Sequence, residues 1–150
     1  MRDQRFKEID QQDHRLLAAW AADCAERVLP FFEESRPNDD RPRKAIEAAR
    51  AWTRGEIRVG PARAAGVAAH AAAREVDEGA ARAAARAAGQ AVGTAHMADH
   101  APHAADYAVK AAQSAVEPAG SAAAADRERA CQLGQLPTHL RALVLHDGEQ

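Results

Sequence analysis

The sequence is poor in aromatic and in large apolar residues. Aromatic residues make up 4% of the 150 positions, and leucine, isoleucine, valine and phenylalanine together fill only 22, fewer than an ordinary globular chain contains. Arginine or aspartate interrupts every alanine-rich stretch, so no run approaches the roughly 18 apolar residues of a membrane span. The first residues are charged and lack the apolar segment of a secretory signal. We therefore expect neither a membrane protein nor an exported one, and a cytoplasmic location.

The signatures of catalysis are scarce as well. The two cysteines, Cys24 and Cys131, lie far apart and form no CxxC pair, which excludes a disulfide framework. The chain has no Gly-x-Ser-x-Gly sequence, no glycine-rich phosphate loop and no HExxH motif. A net charge of −2 gives no overall basic surface for nucleic acid. The sequence thus favours a non-catalytic protein over an enzyme, and nucleic acid is not an expected partner.

Alanine is the abundant residue, with 41 of the 150 positions. It has the highest intrinsic helix propensity, because it loses no side-chain entropy on folding. The 20 basic and 22 acidic residues nearly balance, so the chain does not repel itself open. The composition predicts an all-α fold: a single-domain, alanine-rich bundle of about six to seven helices. A polar N-terminal segment over 1–12 precedes the helical domain of residues 13–150.

Capping and breaking residues indicate where the helices begin and end. Asp13 and Asp40 are placed as N-caps, Pro30 is expected to kink or divide the first helix, and Ala101-Pro102 is expected to end the fourth. The helices are predicted at about 14–34, 41–54, 61–76, 80–100, 102–117, 121–134 and 137–146.

One stripe of the fourth predicted helix combines glycine with histidine. Each glycine destabilises a helix by about 1 kcal/mol relative to alanine, which is understandable if another helix approaches closely along the stripe. His96 and His100 continue it, and we expect both imidazoles to be at least partly buried. The stripe consists of residues at spacings of three and four, namely Ala85, Gly89, Val92, Gly93, His96 and His100.

Two histidines four residues apart on a helix can bind one metal ion. In this interpretation His96 and His100 ligate zinc or another divalent metal, and Asp99 ligates it too or orients an imidazole. A third protein ligand would have to come from another helix, with His14 or His70 as candidates.

The alternative is that these histidines belong to the edge of the core and only form hydrogen bonds. Asp99, His103 and Tyr107 are then the candidates to line the site. If the fourth and fifth helices form an antiparallel hairpin turning near residue 101.5, Tyr107 lies opposite His96. His70 then lies opposite about residue 87, away from His96.

Several segments resemble a known family of actinobacterial proteins. They include DHRLLAAWAADCAERVL from Asp13, RPRKAIEAARAWTRGEI from Arg41 and AGQAVGTAHMADH from Ala88. With two further segments, at 68–75 and 105–111, they are similar to the Imm5-like immunity proteins of polymorphic toxin systems, and the resemblance extends over nearly the whole chain. The resemblance implies an all-α cytoplasmic protein that binds and blocks a bacterial protein toxin without catalysis.

An inhibitor of this kind needs a complementary surface with a few central anchors. We hypothesise that this surface includes the charged loop 33–43, with Arg36, Asp39, Asp40 and Arg41. Two other functions stay open. One is a metal-binding bundle, similar to the three-histidine DinB-type bundles in its His-x-x-x-His spacing. The other is a structural protein that forms a homodimer through its alanine and glycine faces.

Overall fold

The computed structural model describes residues 4–145, and this part of the chain is an all-α bundle. It contains no β-strand and seven α-helices, which confirms the predicted fold class. Short 3-10 turns cover Gln4–Lys7, Pro118–Gly120 and Thr138–Leu140. The α-helices are α1 (Gln11–Ser35), α2 (Arg41–Thr53), α3 (Val59–Arg74), α4 (Ala80–Gly93), α5 (His100–Ser114), α6 (Ser121–Gln135) and α7 (Arg141–Val144).

The first helix begins earlier than predicted and is not divided. Its N-cap is Asp10 rather than Asp13, because the Asp10 carboxylate accepts a hydrogen bond of 2.8 Å from the backbone N–H of Asp13. Pro30 lies inside α1 on its exposed side, and the helix continues past it to Ser35. Asp40 is the N-cap of α2 as expected, yet its carboxylate makes no capping hydrogen bond and pairs instead with Lys44 at 3.3 Å.

The prediction that the fourth helix runs to about residue 100 is wrong. The helix ends at Gly93, and the buried Thr94 closes that end by donating its hydroxyl to the carbonyl of Gln90 at 3.2 Å. Residues 94–99 form a turn before α5 begins at His100. Pro102 is the third residue of α5, where no backbone N–H is needed for an intrahelical bond. The proline therefore belongs to the start of one helix and not to the end of another.

The centre of the bundle is α4, which packs against four other helices: α1, α2, α3 and α5. Its buried residues are all small: Ala83, Ala84, Ala85, Ala87, Ala88, Gly89, Ala91 and Val92. Small side chains leave the helix narrow enough for neighbours to approach on several sides. The larger buried side chains come mainly from α1, with Leu17, Leu29 and Phe32 fully buried.

The expected close approach at the glycine stripe is confirmed between α3 and α4. A Cβ atom added at Gly66 of α3 would lie 3.0 Å from Cγ1 of Val92 and 3.5 Å from the carbonyl oxygen of Gly89. The first distance is tighter than most van der Waals contacts of a Cβ atom, and the second is an ordinary contact. The two backbones can meet at this point because Gly66 and Gly89 have no Cβ atom.

A buried glutamine attaches α6 to the rest of the bundle. Gln132 is 1% exposed, and its side-chain amide donates to the carbonyl of Ala105 and to the carboxylate of Glu128, each at 2.9 Å. Its backbone carbonyl accepts a 2.8 Å hydrogen bond from the indole of Trp20, a residue buried as its position on the apolar stripe of α1 predicts. The docking of α6 on α1 and α5 therefore depends on polar contacts as well as on apolar ones.

Among residues 4–145, no helix combines the length and apolar character that crossing a membrane requires.

We expect Gln132→Ala to lower the free energy of unfolding by about 1–3 kcal/mol, because it removes the three hydrogen bonds of the side chain, with Ala105, Glu128 and Arg129, and leaves a buried space. Urea denaturation followed by circular dichroism measures this change. The matched control is Gln12→Ala on the exposed face of α1, for which we expect a change within about 0.5 kcal/mol. Equal stability of Gln132→Ala and the wild type would show that the amide does not hold α6 in place.

Candidate functional site

The structure separates the two histidines of the predicted metal site. His96 is exposed in the turn after α4, whereas His100 is half-buried at the start of α5. Because α4 stops at Gly93, the two residues do not share a helical face, and the expectation that both imidazoles are partly buried is wrong for His96. The Nδ1 atom of His100 donates to Oε1 of Gln90 at 2.7 Å. A Cβ atom on Gly93 would lie 3.3 Å from the His100 ring, so this glycine accommodates an imidazole.

The ring of His70 lies against Gly89, as the ring of His100 lies against Gly93. His70 was predicted opposite about residue 87, and it lies on α3 against Gly89, where an added Cβ atom would be 2.5 Å from its Nε2 atom. Its buried Nδ1 atom finds no hydrogen-bond partner within residues 4–145. Burial, and to a smaller extent the charges of Arg86 and Arg74, hold the pKa of His70 below its ordinary value. The imidazole is therefore neutral at pH 7 and fills space between the helices.

His14 connects α1 to the turn after α4. Its Nε2–H donates to the carbonyl oxygen of Thr94 at 2.6 Å, and its ring centroid lies 4.8 Å from a ring of Trp52. This hydrogen bond gives a donor to the carbonyl of Thr94, one of those at the carboxyl end of α4 that have no partner within the helix. His14 lines a small pocket of about 160 Å³ together with His96 and Asp99. Two of the candidate ligands, His14 and Asp99, therefore lie near His96.

These positions bear directly on the predicted metal site. Of the candidate third ligands, His14 shares a pocket with His96, and His70 is not among the residues that line this pocket. The described part of the chain contains no group of three or more histidine, cysteine, aspartate or glutamate residues that could hold a metal ion. Metal binding by His96 and His100 stays a prediction, without the helical geometry that suggested it.

The other two site-lining candidates, His103 and Tyr107, lie on α5 in different surroundings. His103 is exposed on α5, with its ring centroid 6.3 Å from that of His100. Tyr107 does not lie opposite His96, because the chain turns at residues 94–99 rather than near 101.5. Tyr107 instead shares a cleft of about 410 Å³ with Arg86 of α4.

The charged loop between α1 and α2 is tied to the end of α3. Arg36 donates to the backbone carbonyl of Glu75 at 3.0 Å, and the guanidinium of Arg41 contacts the carboxylates of Asp39 at 2.6 Å and Glu75 at 2.8 Å. Hydrogen bonds from Arg41 hold the pKa of both carboxyls below their usual values. Sequence reasoning missed Glu75, which lies 34 residues from Arg41 along the chain. We call Arg36, Asp39, Asp40, Arg41 and Glu75 the Arg41 corner.

Cys24 is not a candidate nucleophile. Burial raises the pKa of the Cys24 thiol to about 12, so this residue stays protonated near neutral pH and is a poor nucleophile. Cys131 is exposed on α6 and forms no disulfide.

A family model described as "Imm-5 like putative immunity protein" matches residues 7–139, which include α1 to α6 in full. No curated protein and no solved structure matches the chain at a significant level.

We expect Gly89→Ala to destabilise the protein, because the added methyl group would displace the His70 ring. Such overpacking costs about 1–3 kcal/mol, against a gain in helix propensity of about 1 kcal/mol. In a His70→Ala background the same change should become stabilising, since the ring is gone. Unfolding free energies of the two single variants and the double variant measure the coupling.

The control for this cycle is Gly134→Ala in α6, where an added Cβ atom meets nothing within 4 Å. It should be neutral or slightly stabilising in both backgrounds. Identical effects of Gly89→Ala with and without His70 would contradict the close contact between the His70 ring and Gly89.

We expect the melting temperature to fall as the pH is lowered from 7.5 to 5, in part because of His70. Its pKa in the folded protein is below the ordinary 6.5, so the unfolded chain binds the proton first. Stability is then full above about pH 6.5 and decreases below it. His70→Gln should weaken this pH dependence, whereas His103→Gln, at an exposed position, should leave it unchanged. If His70→Gln did not change the dependence of the melting temperature on pH, the lowered pKa of His70 would be refuted. Melting followed by circular dichroism across this pH range gives the slopes.

Proposed function

The chain belongs to the Imm-5 like family of immunity proteins, and we propose that it binds a bacterial protein toxin and neutralises it without catalysing a reaction. The observation that carries this proposal is the family match over residues 7–139. Three of the histidines considered as metal ligands have other roles, since His70 and His100 pack against glycines and His14 donates to the carbonyl of Thr94.

The Arg41 corner is the surface that we propose for contact with the toxin. Arg41 holds two carboxylates in fixed positions, so these charges are ordered before any partner arrives. Pre-ordered groups lose less conformational entropy on binding. The side chains remain accessible, with Arg41 32% and Glu75 60% exposed. Surface ion pairs of this kind contribute little to folding, which leaves them available for recognition.

The Arg41 corner would contribute more to the specificity of binding than to its affinity. The corner presents two arginines and three carboxylates side by side. A toxin surface must therefore match a pattern of both signs, and a surface with like charges opposite each other is rejected. This is the property that an immunity protein needs to protect against one toxin and ignore others.

The proposed function is tested with a toxin domain encoded directly beside this gene. Expression of that domain alone should stop growth of a bacterial host, and co-expression of this chain should restore it. The purified proteins should co-elute in size-exclusion chromatography. Failure of the wild-type chain to protect or to bind would refute the proposed function.

The surface is tested separately by charge reversal. Asp40→Lys changes an exposed charge and leaves the Arg41 contacts in place, and we expect it to weaken toxin binding about tenfold or more. The control is Asp126→Lys on the exposed side of α6, which should bind as the wild type does. Equal affinity of both variants would remove the corner and leave toxin binding standing. Unchanged melting temperatures verify that both variants fold.

A further inference from the structure

A cleft between α4 and α5 has the size of a small-molecule site. Its volume is about 410 Å³, within the range of roughly 300–1,000 Å³ that ligand pockets occupy. Arg82 and Arg86 line it from α4, and Tyr107 and Lys110 from α5. Residues spaced by three or four share one face of a helix, so each helix directs a pair of side chains at the same space.

The cleft carries an excess of positive charge in a chain whose net charge is −2. Three basic side chains line it, against the single carboxylate of Glu78. Arg82 is already engaged, because its guanidinium donates to the carbonyl of Val76 at 2.6 Å and lies 3.7 Å from Glu78. Arg86 and Lys110 form no ion pair with any carboxylate of residues 4–145.

Some of the arginines outside the cleft are balanced within residues 4–145, although others, such as Arg63, are not. Salt bridges to carboxylates engage a series of them elsewhere on the surface: Arg27, Arg41, Arg43, Arg50, Arg54 and Arg129. Where cations from two walls of a concavity face each other without a counter-charge, the local potential is positive and attracts anions. The anion that would balance the cleft has to come from outside the chain.

We propose that this cleft binds the phosphate group of a phosphorylated small molecule. The planar guanidinium of Arg86 offers paired N–H donors that match phosphate oxygens, and Lys110 adds a point charge from the opposite wall. The hydroxyls of Tyr107 and Ser114, both in the lining, supply further donors. The remainder of the ligand would lie along the ring of Tyr107. This site does not depend on toxin binding.

The concave shape favours a small molecule over an acidic segment of a protein. A carboxylate side chain carries one negative charge and would fill little of about 410 Å³. A phosphate monoester carries nearly two charges at neutral pH and matches the two unpaired cations.

The test is a titration of the ¹⁵N-labelled full-length chain with inorganic phosphate, followed by amide chemical shifts, with chloride at matched ionic strength as the reference. We expect saturable shifts in residues 79–86 and 107–114. Arg86→Gln and Lys110→Gln should each weaken phosphate binding about tenfold or more, as expected for loss of a charge-assisted hydrogen bond. Arg63→Gln removes an exposed arginine of α3 outside the cleft and should bind phosphate as the wild type does.

Three results would overturn the proposal. One is a response to chloride equal to that to phosphate, and another is an equal loss of binding in Arg63→Gln. The third is tighter binding at the same residues by a glutamate-rich hexapeptide than by phosphate, which would assign the cleft to a protein segment. Since Lys110 is exposed, Lys110→Gln keeps the test decisive even if Arg86→Gln fails to fold.

Discussion

The structure depends on the narrowness of α4. This helix can contact four others because its buried positions hold alanine, glycine and a single valine. Alanine buries little apolar surface, and at about 25 cal/mol per Å² it contributes little to the hydrophobic free energy of folding. The bundle compensates through α1, which supplies large buried side chains such as Leu17 and Phe32. Close packing and apolar area are thus provided by different helices, and neither would suffice alone.

The same narrowness explains what the histidines do. An imidazole is too large for the seam between two alanine-rich helices unless one residue of the seam has no side chain. Gly89 makes that room for His70, and Gly93 makes it for His100. His14 acts differently, by donating to the open carbonyl of Thr94 at the carboxyl end of α4. His70, His100 and His14 therefore have packing and capping roles, while His96 lies exposed in the turn after α4.

Much of this architecture could be predicted from composition and spacing, and the exceptions have identifiable causes. The alanine content indicates the helices, and the glycine stripe indicates the close approach at Gly89. The end of α4 was not predictable, because a proline is compatible both with the end of one helix and with the first turn of the next. Because the predicted fourth helix was too long, the predicted positions of His96 and Tyr107 were wrong as well. The Arg41–Glu75 contact and the cation pair of the cleft depend on how the helices are placed against each other, which local spacing does not encode.

The Arg41 corner and the cleft meet at the turn 75–79, yet they differ in their electrostatics. Opposite charges lie in contact at the corner, so its field falls off quickly and acts at short range. The cleft has an excess of positive charge, whose field reaches farther until salt screens it. The turn itself is held from both sides, since Arg36 binds the carbonyl of Glu75 and Arg82 binds that of Val76. It ends at Gly79, whose φ of +137° is accessible to glycine and strained for other residues. The start of α4, and with it the relative placement of both surfaces, therefore depends on that glycine.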